Sequence, residues 1–454
     1  MNIINKITIY LFAFLLPLQT HYLFRAGVIN NGPWDFGHIA LYGLDLLLIL
    51  VLIISSIVKR QQEWQIGKFY RGLRWLLPLF IITCLLSFNI APDQTLAWYG
   101  LGRLLAGLIL FQIIANSRIQ RTTLINVFIA SAVIQALWGT WQFLSQSTFA
   151  NKWLGLALHL NESAGTSVIE VMSSEGVQER WLRAYGALPH PNILGAFLSI
   201  ALILSFGLIV RQIARTDQTE MEKSRFNWSD TLWYFSLPIL SAGLFFTFSR
   251  TAILATGVGL LVILLYKLPL IKKITIPLLL IILTVGALSI QCGYIYNSRW
   301  QGATRLEIKS DTERLDYIAN SLSLIKSRPW TGFGIANFGL AIYSEKIAVK
   351  QLSYYYQPVH NVFLLIASES GVIALAIFVL LLALISVRVI QPRFSASYAP
   401  LNAGLIGALL TLMIFDHYLW SQMTGIYLLW FSLGLMVNTA QSDINETQGI
   451  TMIN

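Results

Sequence analysis

Residues 361–387 read NVFLLIASESGVIALAIFVLLLALISV, an apolar run broken by a single charged side chain, Glu369. A helix needs about 20 such residues to cross the hydrocarbon core of a bilayer. Eleven further apolar runs are read on either side, at about 7–24, 40–58, 75–91, 97–115, 123–144, 192–210, 231–248, 251–266, 274–293, 400–416 and 420–438. The predicted fold class is therefore an all-α polytopic membrane protein with about twelve transmembrane helices. Composition agrees. The 454 residues are 56% hydrophobic and 11% charged, with a mean hydropathy of +0.65. A soluble domain carries about 25% charged residues. Disorder, a secreted disulfide scaffold and an ordinary cytosolic enzyme are excluded. No cleavable signal peptide is read in the first run.

The net charge of +10 has a distribution that explains it. Lys6 precedes the first run. Alternate loops hold Lys59, Arg60, Lys68, Arg71 and Arg74; Arg118 and Arg121; Arg211, Arg215, Lys223 and Arg225; Lys267, Lys272 and Lys273; and Arg388 and Arg393. The other short loops hold only Arg25 and Arg250. Positive loops stay cytoplasmic, which places both termini inside. The charge is a topology signal, and nucleic acid is not expected as a partner. Cys84 and Cys292 suggest neither a disulfide framework nor a zinc site.

A single integral membrane domain, 1–454, is expected, with two long outer loops at about 145–191 and 294–360 that hold short helices. In the second loop, Ser310-Asp-Thr-Glu313 reads as a capping box. Leu315, Ile318, Leu322 and Ile325 then form an apolar stripe, predicting an amphipathic helix over 311–327. Pro329, Gly332 and Gly334 end it.

The polar candidates gather at span boundaries on the outer side. Arg183 and His190 precede Pro191 and Asn192 at the mouth of the sixth run. Phe248-Ser249-Arg250-Thr251 reads as a tight outer hairpin. His360 and Asn361 open the run quoted above, and Asp416-His417 closes the eleventh. Two guanidiniums chelate a diphosphate through charge-assisted hydrogen bonds. An imidazole can take a proton from an attacking hydroxyl near neutral pH. The outer loops contain no Asp-x-Asp pair and no His/Cys cluster, so no metal is indicated. Inside the apolar runs lie Arg103, Asp45 and Glu369; buried charges of this kind pair, so Arg103 is expected to meet Asp45 or Glu369. Glu369 lies 2.5 helical turns past His360, on the opposite face, and is not expected to orient it.

Arg183…Gly186…Pro191-Asn192, Phe248-Ser249-Arg250, Arg314…Pro329…Gly332-x-Gly334 and His360-Asn361…Glu369-x-Gly371 together resemble the O-antigen ligase and polymerase family of bacterial envelope glycosyltransferases. The resemblance covers residues 180–390 by motif. It implies a donor glycan on undecaprenyl diphosphate, used at the periplasmic face of the inner membrane without a nucleotide or cofactor. It implies His360 as the acceptor-activating base and Arg183 and Arg250 as diphosphate ligands. Asn192, Asn361, His190, Arg103, Glu369 and Asp416 are read as supporting residues. The acceptor is expected to be lipid A–core or a similar glycan. A polymerase or a protein O-oligosaccharyltransferase on the same donor is the alternative, and a multispan transporter or flippase the reading from another class. Transporters tend to place polar residues at the midplane of two matching repeats, a pattern absent here.

Overall fold

A computed structural model describes residues 3–59, 68–163, 165–172, 178–218, 228–301, 305–347, 352–391 and 397–438. Of the charges counted above, Arg60, Lys223, Arg225 and Arg393 lie outside these residues, as do the side chains of Lys59, Lys68, Arg71 and Arg74.

Each predicted apolar run contains a helix. In chain order these are α1 (Ile3–Leu15), α2 (Gly43–Lys59), α3 (Lys68–Leu85), α4 (Gln94–Asn116), α5 (Arg121–Ser145), α6 (Pro191–Gln218), α7 (Trp228–Thr247), α8 (Arg250–Tyr266) and α9 (Thr275–Gln301). α10 (Arg305–Ser327) and α11 (Phe338–Ser344) follow, then α12 (Val362–Ile390), α13 (Ala399–Phe415), α14 (Tyr418–Ser421) and α15 (Met423–Val437). Five of the described helices are long and apolar enough to cross a membrane, and seven shorter ones are apolar. α6 occupies the centre. Its apolar stretch is wholly buried, and it packs on α5, α7, α8 and α13. A helix apolar on every side belongs in such a place. At the periphery, Leu46, Ile49, Ile53 and Ile57 of α2 are exposed on the turn spacing of one face. An outward apolar stripe of this kind suits lipid.

Four expectations need correction. The first run, 7–24, stays helical only to Leu15. Pro17 removes a backbone donor and restricts the residue before it. The chain then forms strand β1 (His21–Arg25), paired antiparallel with β4 (Ile39–Tyr42). Between them, β2 (Val28–Ile29) and β3 (Gly32–Pro33) are joined through Asn30 and Asn31. The φ values of these two asparagines, 48° and 59°, fit a two-residue hairpin turn. Second, the 145–191 loop holds no helix among its described residues. It holds a hairpin, β5 (Val168–Met172) with β6 (Gln178–Leu182). Third, Ser310 is not a cap. α10 starts at Arg305, and Ser310 falls inside it. The predicted helix over 311–327 is present within α10, with its stripe exposed at Leu315 (69%) and Leu322 (54%), whereas Tyr317, Ser321 and Leu324 turn inward. Fourth, α12 is not a regular helix.

The break in α12 lies at Gly371, with φ 84° and ψ 168°. There the helix ladder gives way to bonds with the segment after α10. Phe333 N–H donates to Ser368 O (3.0 Å) and Gly334 N–H to Glu369 O (2.7 Å); Val372 N–H donates to Pro329 O (2.8 Å). Gly332 and Gly334 have φ of 67° and 98°. They take the left-handed backbone that this stitching demands.

Candidate functional site

Two buried glutamines of α5 build the turn before α6. Gln142 Oε1 accepts from Tyr185 N (2.9 Å) and Gly186 N (2.7 Å), and Gln135 Oε1 accepts from Ala187 N (2.8 Å). A Cβ on Gly186 would lie 2.8 Å from Gln135 Oε1. The turn fixes the residues on either side of it.

Arg183 is buried. Its Nε donates to Thr247 O (2.7 Å), Nη1 to Ser167 Oγ (2.7 Å) and Nη2 to Asn192 Oδ1 (2.8 Å). Thr247 ends α7, so Arg183 ties its own loop to the Phe248-Ser249-Arg250 hairpin. That hairpin is as tight as expected: α7 stops at Thr247 and Ser249 caps α8. Asn192 carries the connection onward, donating from Nδ2 to Asp416 Oδ2 (3.2 Å). Its amide N–H donates to His190 Nδ1 (3.1 Å), so that nitrogen is unprotonated. Arg250 pairs with Asp311 of α10 at 2.8 Å.

His360 lies just outside α12. Asn361 caps the helix, accepting from Leu364 N (2.9 Å), and donates to Ile414 O of α13 (2.9 Å). The imidazole stands between Tyr317 and His417, with ring centroids 5.9 Å and 4.8 Å away. Its Nδ1 is buried without a hydrogen-bond partner. Glu369 does not reach it. That carboxylate accepts from Trp420 Nε1 (2.9 Å) and from the amides of Ala336 and Phe338.

Arg103 meets neither Asp45 nor Glu369 in an ion pair, contrary to expectation. Its guanidinium lies over the rings of Tyr42 and Tyr99, and Nη2 donates to the Tyr99 hydroxyl. Asp45 instead accepts from Tyr427 Oη (2.5 Å) and Tyr42 N (2.9 Å).

The structure therefore brings together Arg183, His190, Asn192, His360, Asn361 and Asp416. His190, Asn192, His360, Asp416, Arg103 and Glu369 all line one cavity of about 600 Å³. Arg183 and Arg250 do not line it, though Arg183 bonds to the lining residue Asn192. The reading of the outer loops as free of any His cluster is corrected. The ends of α12 and α13 meet, and donor atoms of His360, Asp416 and His417 lie within 4.8 Å of one another. Such spacing can hold a cation. The surrounding charge points the other way, because Arg314 of α10 acts on both imidazoles and on Arg183. Arg314 Nε is buried without a partner.

Burial sets the protonation. It pulls Arg183 down to about 10, with Arg250 and Arg314 adding to the effect. It pushes His190 to about 3, helped by Arg183. Burial, then His417 and Arg314, holds His360 well below 6.5, and burial also lowers His417. The three imidazoles are neutral in the fold at pH 7. An unfolded chain binds these protons near pH 6.5 and the folded chain does not, so their contribution to stability is complete above pH 6.5. It is lost as pH falls from there towards 3. Thermal unfolding of the purified protein at pH 5 is expected several degrees below that at pH 7. A melting temperature that is unchanged between them would refute this protonation pattern.

Sequence reasoning missed Gln135, Gln142, Tyr317, Trp420 and the place of Arg314. Gln135 and Gln142 carried a signal: two amides seven residues apart lie on one face of an apolar helix, where polar groups need partners. Tyr317 and Trp420 carried none, since aromatic residues abound in the chain.

Fold and site define a multipass helical membrane protein with a polar, arginine-backed cavity at one end of its helices. Residues 235–379, about a third of the chain, match the family model described as O-antigen ligase, and this segment is similar to that family. The segment holds Arg250, Arg314, the Pro329–Gly334 stitch, His360 and Gly371. The family is one of membrane glycosyltransferase-like ligases, and the match supports an enzymatic role in general terms. No curated protein matches the chain.

Proposed function

We propose that the protein transfers a glycan from undecaprenyl diphosphate to an acceptor hydroxyl, lipid A–core or a similar glycan, at the periplasmic face of the inner membrane. One observation carries the reading: His360 presents a neutral imidazole, with an unpartnered Nδ1, beside the cavity and beside Arg314.

In this reaction His360 takes the proton of the acceptor hydroxyl. The acceptor oxygen attacks the anomeric carbon from the face opposite the leaving group, and configuration inverts. The bond from that carbon to the diphosphate oxygen breaks, and its electron pair leaves on the diphosphate. Guanidiniums stabilise the charge that develops there. Arg250 reaches the diphosphate by exchanging the Asp311 carboxylate for a phosphate oxygen. Arg183 is anchored by three bonds. It has two N–H groups left of a guanidinium's five and adds a fixed positive charge. Asn192 and Asp416 hold it in place. The scheme uses no nucleotide and routes no step through a metal.

The test is reconstitution of purified protein with a defined undecaprenyl-diphosphate glycan and lipid A–core, without nucleotide and with chelator. Lipid A–core that gains the glycan supports ligation. A ladder of repeat units on the carrier lipid would make the protein a polymerase. Transfer to neither, by folded protein, overturns both.

A further inference from the structure

Arg103 also lines this cavity. Its guanidinium carbon lies 4.4 Å from the Tyr42 ring centroid and 4.7 Å from that of Tyr99. The strand β4 holds this clamp shut, because Tyr99 Oη donates to Ala40 O at 2.9 Å. Nη2 is used on Tyr99, the Tyr42 hydroxyl is a second hydrogen-bonding neighbour of the guanidinium, and Nη1 is buried with no partner in hydrogen-bonding geometry. Asp45 shares the local field, but its two oxygens already accept from Tyr427 and from the Tyr42 amide. A buried guanidinium with an orphan donor is costly to maintain without an anion. The walls of the cavity also include Trp34 and Trp420. Both indoles are pinned, Trp34 Nε1 to Tyr356 O (2.7 Å) and Trp420 Nε1 to Glu369 (2.9 Å). Rigid aromatic walls with few polar anchors form a common kind of small-ligand site.

We propose that the part of the cavity lined by Arg103 is a subsite for an anionic substituent, phosphoryl or carboxylate, carried by the sugar acceptor. That the ligand is the acceptor rests on the transfer reaction proposed above. That the subsite takes a sugar-borne anion does not.

The experiment is equilibrium binding to the full-length protein, read by ligand-observed NMR, with no donor present. Glucose 6-phosphate and glucuronate are each compared with glucose. A charge-assisted hydrogen bond predicts roughly tenfold or greater preference for the anionic sugars. Arg103→Gln should reduce their affinity to that of glucose. Equal affinities in the wild type overturn the proposal, and that comparison needs no variant to fold. Inorganic phosphate binding as tightly as glucose 6-phosphate would overturn the sugar subsite. In phosphatidylcholine nanodiscs, addition of phosphatidylglycerol should leave the sugar-phosphate affinity unchanged; its loss would assign Arg103 to a lipid headgroup instead. If the anionic preference holds while reconstituted transfer fails, the subsite stands and its assignment to an acceptor falls.

Discussion

Replacing His360 by alanine is expected to lower glycan transfer by about a hundredfold to ten-thousandfold, the range a positioned general base supplies. The fold should survive. The His360 imidazole lies outside α12, and its Nδ1 makes no hydrogen bond whose loss would weaken the protein. The helix start is secured by Asn361, and Tyr317 and His417 lose only ring contacts. Initial rates with the donor and acceptor lipids, alongside the melting temperature, decide the matter. A folded His360→Ala protein keeping more than about a tenth of the wild-type rate would remove His360 from the role of base. The wild type offers a second readout. Because burial, His417 and Arg314 hold the imidazole well below 6.5, its base form persists at lower pH than that of a free histidine. The acid limb of the rate profile should therefore lie below pH 6.5.

Replacing Gly371 by alanine is expected to prevent recovery of folded protein, or to destabilise it by several kcal/mol. Two effects combine. Gly371 has a φ of 84°. A non-glycine residue held there costs about 1–3 kcal/mol, and forced overpacking about 1–3 kcal/mol more. The added Cβ would lie 2.2 Å from Trp330 O and 2.5 Å from Trp330 C, both backbone atoms that cannot step aside. Gly257→Ala is the control. Its Cβ would meet nothing within 4 Å on α8. Alanine there gains about 0.5–1 kcal/mol, as in any open helix interior. Thermal unfolding followed by size-exclusion chromatography separates the two. A Gly371→Ala protein as stable as Gly257→Ala would mean that α12 runs unbroken.

The helices were legible because their signal is compositional. Apolar runs such as 361–387 and 192–210 name themselves, and each contains a helix. What lay between was less readable. The β1–β4 and β5–β6 hairpins are short and carry no long alternation. Ser310-Asp-Thr-Glu313 satisfied a local rule, yet the helix-forming Arg305–Lys309 stretch carried α10 through it. His360, Asn361, Arg250 and Arg183 were readable because each polar group stood at the edge of an apolar run. Their partners were not, because Asn192 meets Asp416, and His360 meets His417, only through packing of distant helices. The expected Arg103 ion pair failed for a related reason. Charge balance can be argued from a sequence, but the two tyrosines that enclose Arg103 cannot be.

The stitch at Gly371 limits which of the segments around the cavity can move. The carbonyls of Ser368 and Glu369 accept from Phe333 and Gly334, and the amide of Val372, the helical donor to Ser368, is turned to Pro329. Lifting the Pro329–Gly334 segment would strand both in a region with little water, at several kcal/mol each. The segment is thus a fixed beam, set directly before Ile335 and Ala336 of the cavity wall. The same bonds make loop and helix a single exchangeable cassette: a chimaera that swaps the segment after α10 must take the glycine break of α12 with it.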